Sequence, residues 1–128
     1  MAASPQYGDI TPIIPSGIGN GTPLLITAVT AGTAQTYHTA TASTSDMDQI
    51  TLMANNTDTV DRDVTVLVGG VTEPDNIVCG PYTLTAKTGA QVLCDHIAIN
   101  NSKTVKVYAS VGSKITVFGP PVLRTTLT

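Results

Sequence analysis

Tryptophan is absent from this 128-residue chain, and glutamate and phenylalanine occur once each, at Glu73 and Phe118. Only 12% of the residues are charged. Each scarcity excludes something. The shortage of Glu, Lys, Gln and Arg removes the usual helix formers. A net charge of −3 with no basic stripe argues against a nucleic-acid partner. Lys103, Lys106 and Lys114 fall near one another on an expected hairpin, where three lysines read as a solvated face. Sugar sites usually want an exposed aromatic platform, and Tyr7, Tyr37, Tyr82, Tyr108 and Phe118 are all that could supply one. No apolar run approaches the ~20 residues that span a bilayer, so no membrane partner is expected. The first residues lack a basic region followed by an apolar run, so synthesis in a cytosol without a signal peptide is expected. The two cysteines, Cys79 and Cys94, match no zinc or redox spacing. They read as small buried hydrophobes rather than a disulfide, which cytosolic synthesis disfavours.

What is abundant points one way. Roughly a sixth of the residues are Thr, with Val and Ala next. β-Branched side chains are stiff at χ1 and favour strands. Strand-like segments run over 24–30, 35–42, 49–54, 63–68, 77–79, 82–86, 91–97, 104–110 and 114–118. Between them lie turn signals such as Asn55-Asn56-Thr57-Asp58, Gly69-Gly70, Glu73-Pro74-Asp75-Asn76 and Gly119-Pro120-Pro121. Val64, Val66 and Val68 alternate cleanly, as one buried face requires. No window keeps a 3.6-residue period, and at most one helical turn fits near 43–47. The chain therefore predicts an all-β fold: an antiparallel β-sandwich or jelly roll of about eight or nine short strands. In the last expected hairpin a three-residue loop, Val111-Gly112-Ser113, pairs Val107 with Val117 and Ala109 with Ile115, which keeps one face apolar.

Residues 1–23 differ from the rest. Pro5, Pro12 and Pro15 punctuate them, and Gly17, Gly19 and Gly21 follow. Ile10, Ile13, Ile14 and Ile18 make the segment too apolar for a plain disordered tail. An extended arm of this kind lies on something: its own sheet, a neighbouring subunit or a partner. The expected organisation is an arm over 1–23, a sandwich over 24–120 and a tail over 121–128. Ile10, Ile13, Ile14 and Ile18 are the candidate partner-binding anchors.

No arrangement of chemistry-bearing residues stands out. Cys94 and His96, two apart on a strand, would share a face, but no nucleophile elbow or orienting third group accompanies them. Asp46 and Asp48, and Asp58, Asp61 and Asp63, form two acidic groups without the EF-hand Gly and closing Glu. They read as turn residues before calcium ligands. The Asn-x-Thr/Ser tripeptides at Asn20, Asn55 and Asn100 read the same way. The glycines of 17–21 precede no helix, so they make no phosphate loop. No catalytic residue, metal site or cofactor is expected.

The stretch Gln49-Ile50-Thr51-Leu52-Met53-Ala54-Asn55-Asn56-Thr57, followed by Asp61-Arg62-Asp63-Val64-Thr65-Val66-Leu67-Val68, resembles a pattern in short bacteriophage virion β-sandwich proteins. There a strand ends in an Asn-Thr turn and the next reads Val-Thr-Val. Val92-Leu93 and Val105-Lys106-Val107-Tyr108-Ala109 continue the style. Proteins of this type decorate or cement capsids, often as trimers, and some use an N-terminal arm. The resemblance implies a capsid decoration protein on the virion surface, made in the host cytoplasm. Its expected partners are the major capsid protein and copies of itself as a homotrimer. The alternative is a tail, spike or fibre component, or a receptor- or carbohydrate-binding module. Low surface charge suits a surface covered by neighbours.

Overall fold

A computed structural model describes residues 7–127. It is an all-β sandwich of two antiparallel sheets, with no helix among the described residues beyond two short 3-10 turns at Ser16–Ile18 and Ala31–Thr33. The described residues form ten strands in chain order. They are β1 (Tyr7–Ile13), β2 (Leu24–Leu25), β3 (Gln35–Thr39), β4 (Asp46–Asn56), β5 (Arg62–Val68), β6 (Ile77–Leu84), β7 (Gln91–Ile99), β8 (Thr104–Ala109), β9 (Ile115–Phe118) and β10 (Val122–Leu127).

The larger sheet is built around β4. One edge of β4 pairs with β7. The other is shared end to end: β10 covers Asp46–Gln49 and β9 covers Met53–Asn56. β1 flanks β10 and β2 flanks β9. The smaller sheet runs β3-β8-β5-β6. Alternation explains the packing between them. Ile50, Leu52 and Ala54 from β4 and Ile115 and Val117 from β9 meet Val64, Val66, Val105 and Val107 from the smaller sheet, all at or near zero exposure.

Where β4 passes from β9 to β10, Gly119-Pro120-Pro121 spans the break. Neither proline can donate to a ladder. From Phe118 to Leu123 the chain takes five steps against four on β4, from Met53 to Gln49. Gly119 lies so close to β4 that a Cβ there would collide with the Thr51 carbonyl oxygen. Gly17 has the same role in the 3-10 turn, pressed on the carbonyls of Thr36 and Tyr37.

Two local expectations are corrected. β8 and β9 are not a hairpin: β8 pairs with β3 and β5, β9 with β4 and β2. The apolar faces of β8 and β9 do look toward each other, but across the core. The 110–114 connection crosses between sheets, and the Ser110 N–H bonds to Asp63 and the Ser113 N–H to Ile26. Lys103 precedes β8 and Lys114 precedes β9, toward opposite ends of β8, so they do not lie beside one another. Residues 43–47 carry no helical turn; they bend into β4. The chain on either side of 24–120 is also built into the larger sheet. The segment expected as a tail supplies β10, between β1 and β4, and the arm supplies β1.

Gly119→Ala is expected to destabilise the domain by about 1–3 kcal/mol, because the added methyl meets backbone that β4 holds in place. Gly32→Ala, with open space at its Cβ, serves as the control and should change little. Urea unfolding of the two variants beside the parent checks this.

Candidate functional site

The four isoleucines of the arm are separated by the structure. Ile13 pairs opposite Val122 and packs against the core. Ile18 is part of the core itself, held there by the turn that follows β1. Ile10 and Ile14 stay exposed, at 57% and 53%. Ile10 reaches the outer face of the larger sheet, where it lines a shallow groove of about 140 Å³ with Met47, Gln49, Leu123 and Thr125.

That outer face is defined by register. β4 buries Asp48, Ile50, Leu52, Ala54 and Asn56, so Met47, Gln49, Thr51, Met53 and Asn55 point away from the core. Opposite Gln49 lie Leu123 and Ala98; opposite Met53 lie Phe118 and Val92. Pro12 on β1 extends the row beyond Leu123, and Leu25 on β2 marks the far side. Leu25, Val92 and Leu123 are 44%, 51% and 37% exposed. None of the six Lys and Arg residues lies on this face. Arg124 turns inward, Arg62 and Lys106 belong to the smaller sheet, and Lys87, Lys103 and Lys114 lie in connections. The opposite face differs: it carries Lys106, Asp63 and Tyr108, whose hydroxyl donates to Glu73 at 2.7 Å.

Two irregularities meet at Thr51. On one side is the Gly119-Pro120-Pro121 break. On the other, β7 spends nine residues, Gln91–Ile99, on the seven of β4 from Asp48 to Ala54. The two extra residues make two bulges. Leu93 and Cys94 both serve the position opposite Leu52, and Asp95 and His96 both face the Thr51 level. His96 takes a left-handed φ of 56°, unusual for a residue with a side chain. The Thr51 hydroxyl donates to Asp95 Oδ1 at 2.9 Å and accepts from the His96 N–H at 3.3 Å. His96 Nδ1 lies 2.7 Å from Asp95 Oδ1. The result is a groove of about 300 Å³ with a carboxylate, an imidazole and the Gln49 amide against a wall of Pro120, Pro121 and Leu123. The expectation that Cys94 and His96 share a face is thereby corrected. The bulges shift the alternation, so Cys94 packs against the core while His96 is exposed. The Thr51 hydroxyl proton is directed at Asp95, away from the imidazole.

Beneath the face lies a buried polar network. Asp48 and His38, at 0% and 1% exposure, meet at 2.7 Å between Nε2 and Oδ2. Arg124 donates from Nε to Oδ1 at 2.8 Å and from Nη2 to Oδ2 at 2.9 Å. The Thr41 N–H completes the shell at 3.1 Å. The Ser16 N–H donates to His38 Nδ1, so the ring proton sits on Nε2 and points at Asp48. Ser16, His38 and Asp48 are thus assembled, yet not as a nucleophilic triad. Ser16 meets the ring through its backbone, and its hydroxyl accepts from the Thr39 N–H. Burial alone would push the Asp48 carboxyl up, but Arg124, His38 and the Thr41 N–H together hold it below its ordinary value. The sequence carried a signal for this site that went unread: Asp48 shares its alternation with Ile50 and Leu52, a charge on an apolar row.

The acidic groups serve local structure. Asp58 pairs with Arg62 at 2.7 Å, Asp61 accepts from the Ala86 N–H and Asp63 from the Thr83 hydroxyl. Among the described residues no three His, Cys, Asp or Glu side chains are grouped to hold a metal. Compared with protein-family models, curated proteins and solved structures, the chain matches none.

The network makes acid sensitivity predictable. With the native carboxyl held below its ordinary value, the stability Asp48 contributes is complete above that value. It disappears as the pH falls through the lowered native pKa. Arg124→Met removes the bidentate partner and leaves a buried carboxylate. It should cost about 3 kcal/mol at neutral pH and move the acid-unfolding midpoint to higher pH. Circular dichroism across a pH series on both proteins measures it.

Proposed function

We propose that this protein is a virion structural component of the capsid-decoration type, which docks the outer face of its larger sheet on the shell and bridges neighbouring shell subunits. The observation that carries the reading is the face itself. It is a broad surface with exposed Ile10, Leu25, Val92 and Leu123, the Met47 and Met53 side chains, and no cation among the described residues. Soluble domains rarely leave contiguous apolar surface uncovered, and interface centres are depleted in charge and enriched in Met and aromatics. β1 adds a second means of attachment. Among the described residues no strand pairs with its outer edge, so a partner strand can extend the sheet there, with Ile14 exposed beside it. The action is mechanical: many copies with modest contacts hold a shell through multivalency. Copies of this chain as a homotrimer, the arrangement the resemblance implies, would multiply those contacts further.

The Asp95–His96 groove favours a second reading, a receptor- or glycan-binding module of a tail or spike. A carboxylate and an amide beside an apolar wall suit a polyhydroxylated ligand. That reading predicts glycan affinity in the isolated domain.

Shell binding separates the two. Purified protein added to particles that lack it should bind to saturation and raise the temperature at which the shell comes apart. Val92→Lys with Leu123→Lys should weaken binding by roughly tenfold or more, since each places an unpaired charge in the contact. Val78→Lys, on the exposed edge strand β6, should bind as the parent does. Equal binding by the face variant, with its fold intact by circular dichroism, would sink the proposal.

A further inference from the structure

β6 and β7 are the edge strands of the two sheets on the same side of the sandwich, joined by the 85–90 connection. Cys79 on β6 pairs opposite Val66, and Cys94 on β7 opposite Leu52. Val66 and Leu52 are core residues at zero exposure, so both thiols point into the gap between the sheets, and both pack against the core. Packed sheets stand about 10 Å apart on average, so a bridge between them needs the two strands to come locally closer. Here the edges close in. Cys79 Sγ lies 3.2 Å from the backbone oxygen of Leu93, the residue before Cys94. Both cysteines are half-buried and reduced.

We propose that Cys79 and Cys94 are a redox site that closes into an intramolecular disulfide, stapling the two sheets at their open edge by exchange with a small-molecule disulfide such as oxidised glutathione. The Cys79 thiolate attacks one glutathione sulfur, forming a mixed disulfide and expelling a glutathione thiolate. The Cys94 thiolate then attacks Cys79 Sγ and expels the second. Two electrons pass from the protein thiols to the glutathione disulfide, and the two thiol protons end on the two glutathiones released. Burial, and after it the neighbouring Cys79 thiol, pushes Cys94 up to about 12. Once Cys79 is in the mixed disulfide, burial still disfavours the Cys94 thiolate, so closure is slow at neutral pH and faster in alkali. In a reducing cytosol the pair stays open; in an oxidising medium it closes.

The bulges on both strands place the pair. In β6 an extra residue enters between Tyr82 and Cys79 and another between Cys79 and Ile77, so the register against Val64, Val66 and Leu67 of β5 shifts on either side of Cys79. In β7 the shifts likewise flank the position opposite Leu52, where Cys94 lies. Each bulge re-aims its side chain, which is how two edges of different sheets bring their sulfurs together.

The test uses the unmodified full chain. Native protein is incubated with oxidised glutathione in mildly alkaline buffer, acid-quenched, alkylated under denaturing conditions, and examined by intact mass and peptide mapping. The expected product is a monomer two hydrogens lighter, with neither cysteine alkylated and the peptides bearing Cys79 and Cys94 linked. Its melting midpoint should rise by roughly 5–10 °C and return on reduction with a phosphine. Cys94→Ala should accumulate a glutathione adduct at Cys79 and show no rise. Stable glutathione adducts on the parent, cysteine-linked dimers, or thiols still free after the urea-unfolded chain has oxidised in the same buffer would each overturn the proposal.

Discussion

The structure depends on β4, and on the way its buried row is finished at both ends. Ile50, Leu52 and Ala54 form an apolar middle, and the same row closes with Asp48 at one end and Asn56 at the other, all at or near zero exposure. Both polar ends are satisfied by distant parts of the chain. Asp48 gathers Arg124 from β10, His38 from β3 and the Thr41 N–H. The Asn56 amide donates to the Val60 and Leu84 carbonyls and its oxygen accepts from the Asp58 N–H. A buried polar group without partners is costly, and a slip of one residue would turn the whole row to solvent. The apolar middle drives burial; the two polar ends fix the register in which it happens.

The same register makes the outer face. On β10, turning Arg124 inward to Asp48 necessarily turns Leu123 and Thr125 outward, because successive side chains alternate. On β4, burying Asp48 puts Met47 and Gln49 on the outer surface. The buried ion pair and the low-charge face are therefore two sides of one alternation. A sheet of this size has its charges somewhere, and here the cations go to the smaller sheet, the connections and the interior. That distribution is costly for solubility unless something covers the face, which is the physical case for reading it as an attachment surface.

Much of this was legible in the chain and some was not, for identifiable reasons. Alternation revealed β4 and β8 because each buries one face, and β5 through its Val64-Val66-Val68 row although Thr65 and Leu67 are buried as well; the sandwich follows from many short strands with turn residues between them. Alternation cannot tell whether two apolar strands lie side by side or across a core, so β8 and β9 read as a hairpin when they belong to different sheets. β1 and β10 were hidden by the prolines around them, which mark sheet edges and breaks as readily as they mark loops. β7 defeated a period-two reading outright. With two bulges in nine residues, Leu93 and Cys94 both face inward, and Asp95 and His96 both lie exposed. The Asp48 network joins residues as distant in the chain as Ser16 and Arg124, yet its one local trace, an aspartate in phase with Ile50 and Leu52, was present throughout.

The sheet edges show where an attachment by strand pairing can form. An unpaired edge invites other strands, and each edge here is treated differently. β6 and β7 carry register shifts that interrupt any long ladder. The Ser16–Ile18 turn covers β3: Gly17 presses on the Thr36 and Tyr37 carbonyls, and the Ser16 hydroxyl accepts from the Thr39 N–H. β2 is two residues long. β1 remains, with its register shift confined to the stretch between Tyr7 and Ile10, a regular register from Ile10 to Ile13 against β10, and Pro12 as the one residue there that cannot donate. Its outer side adjoins Ile10 and Ile14, the two arm isoleucines that the core does not take up. A partner strand added there would continue the larger sheet, whose outer face is the low-charge one. The edge and the face thus belong to one surface, and a neighbour that engages β1 is placed beside the face it would cover.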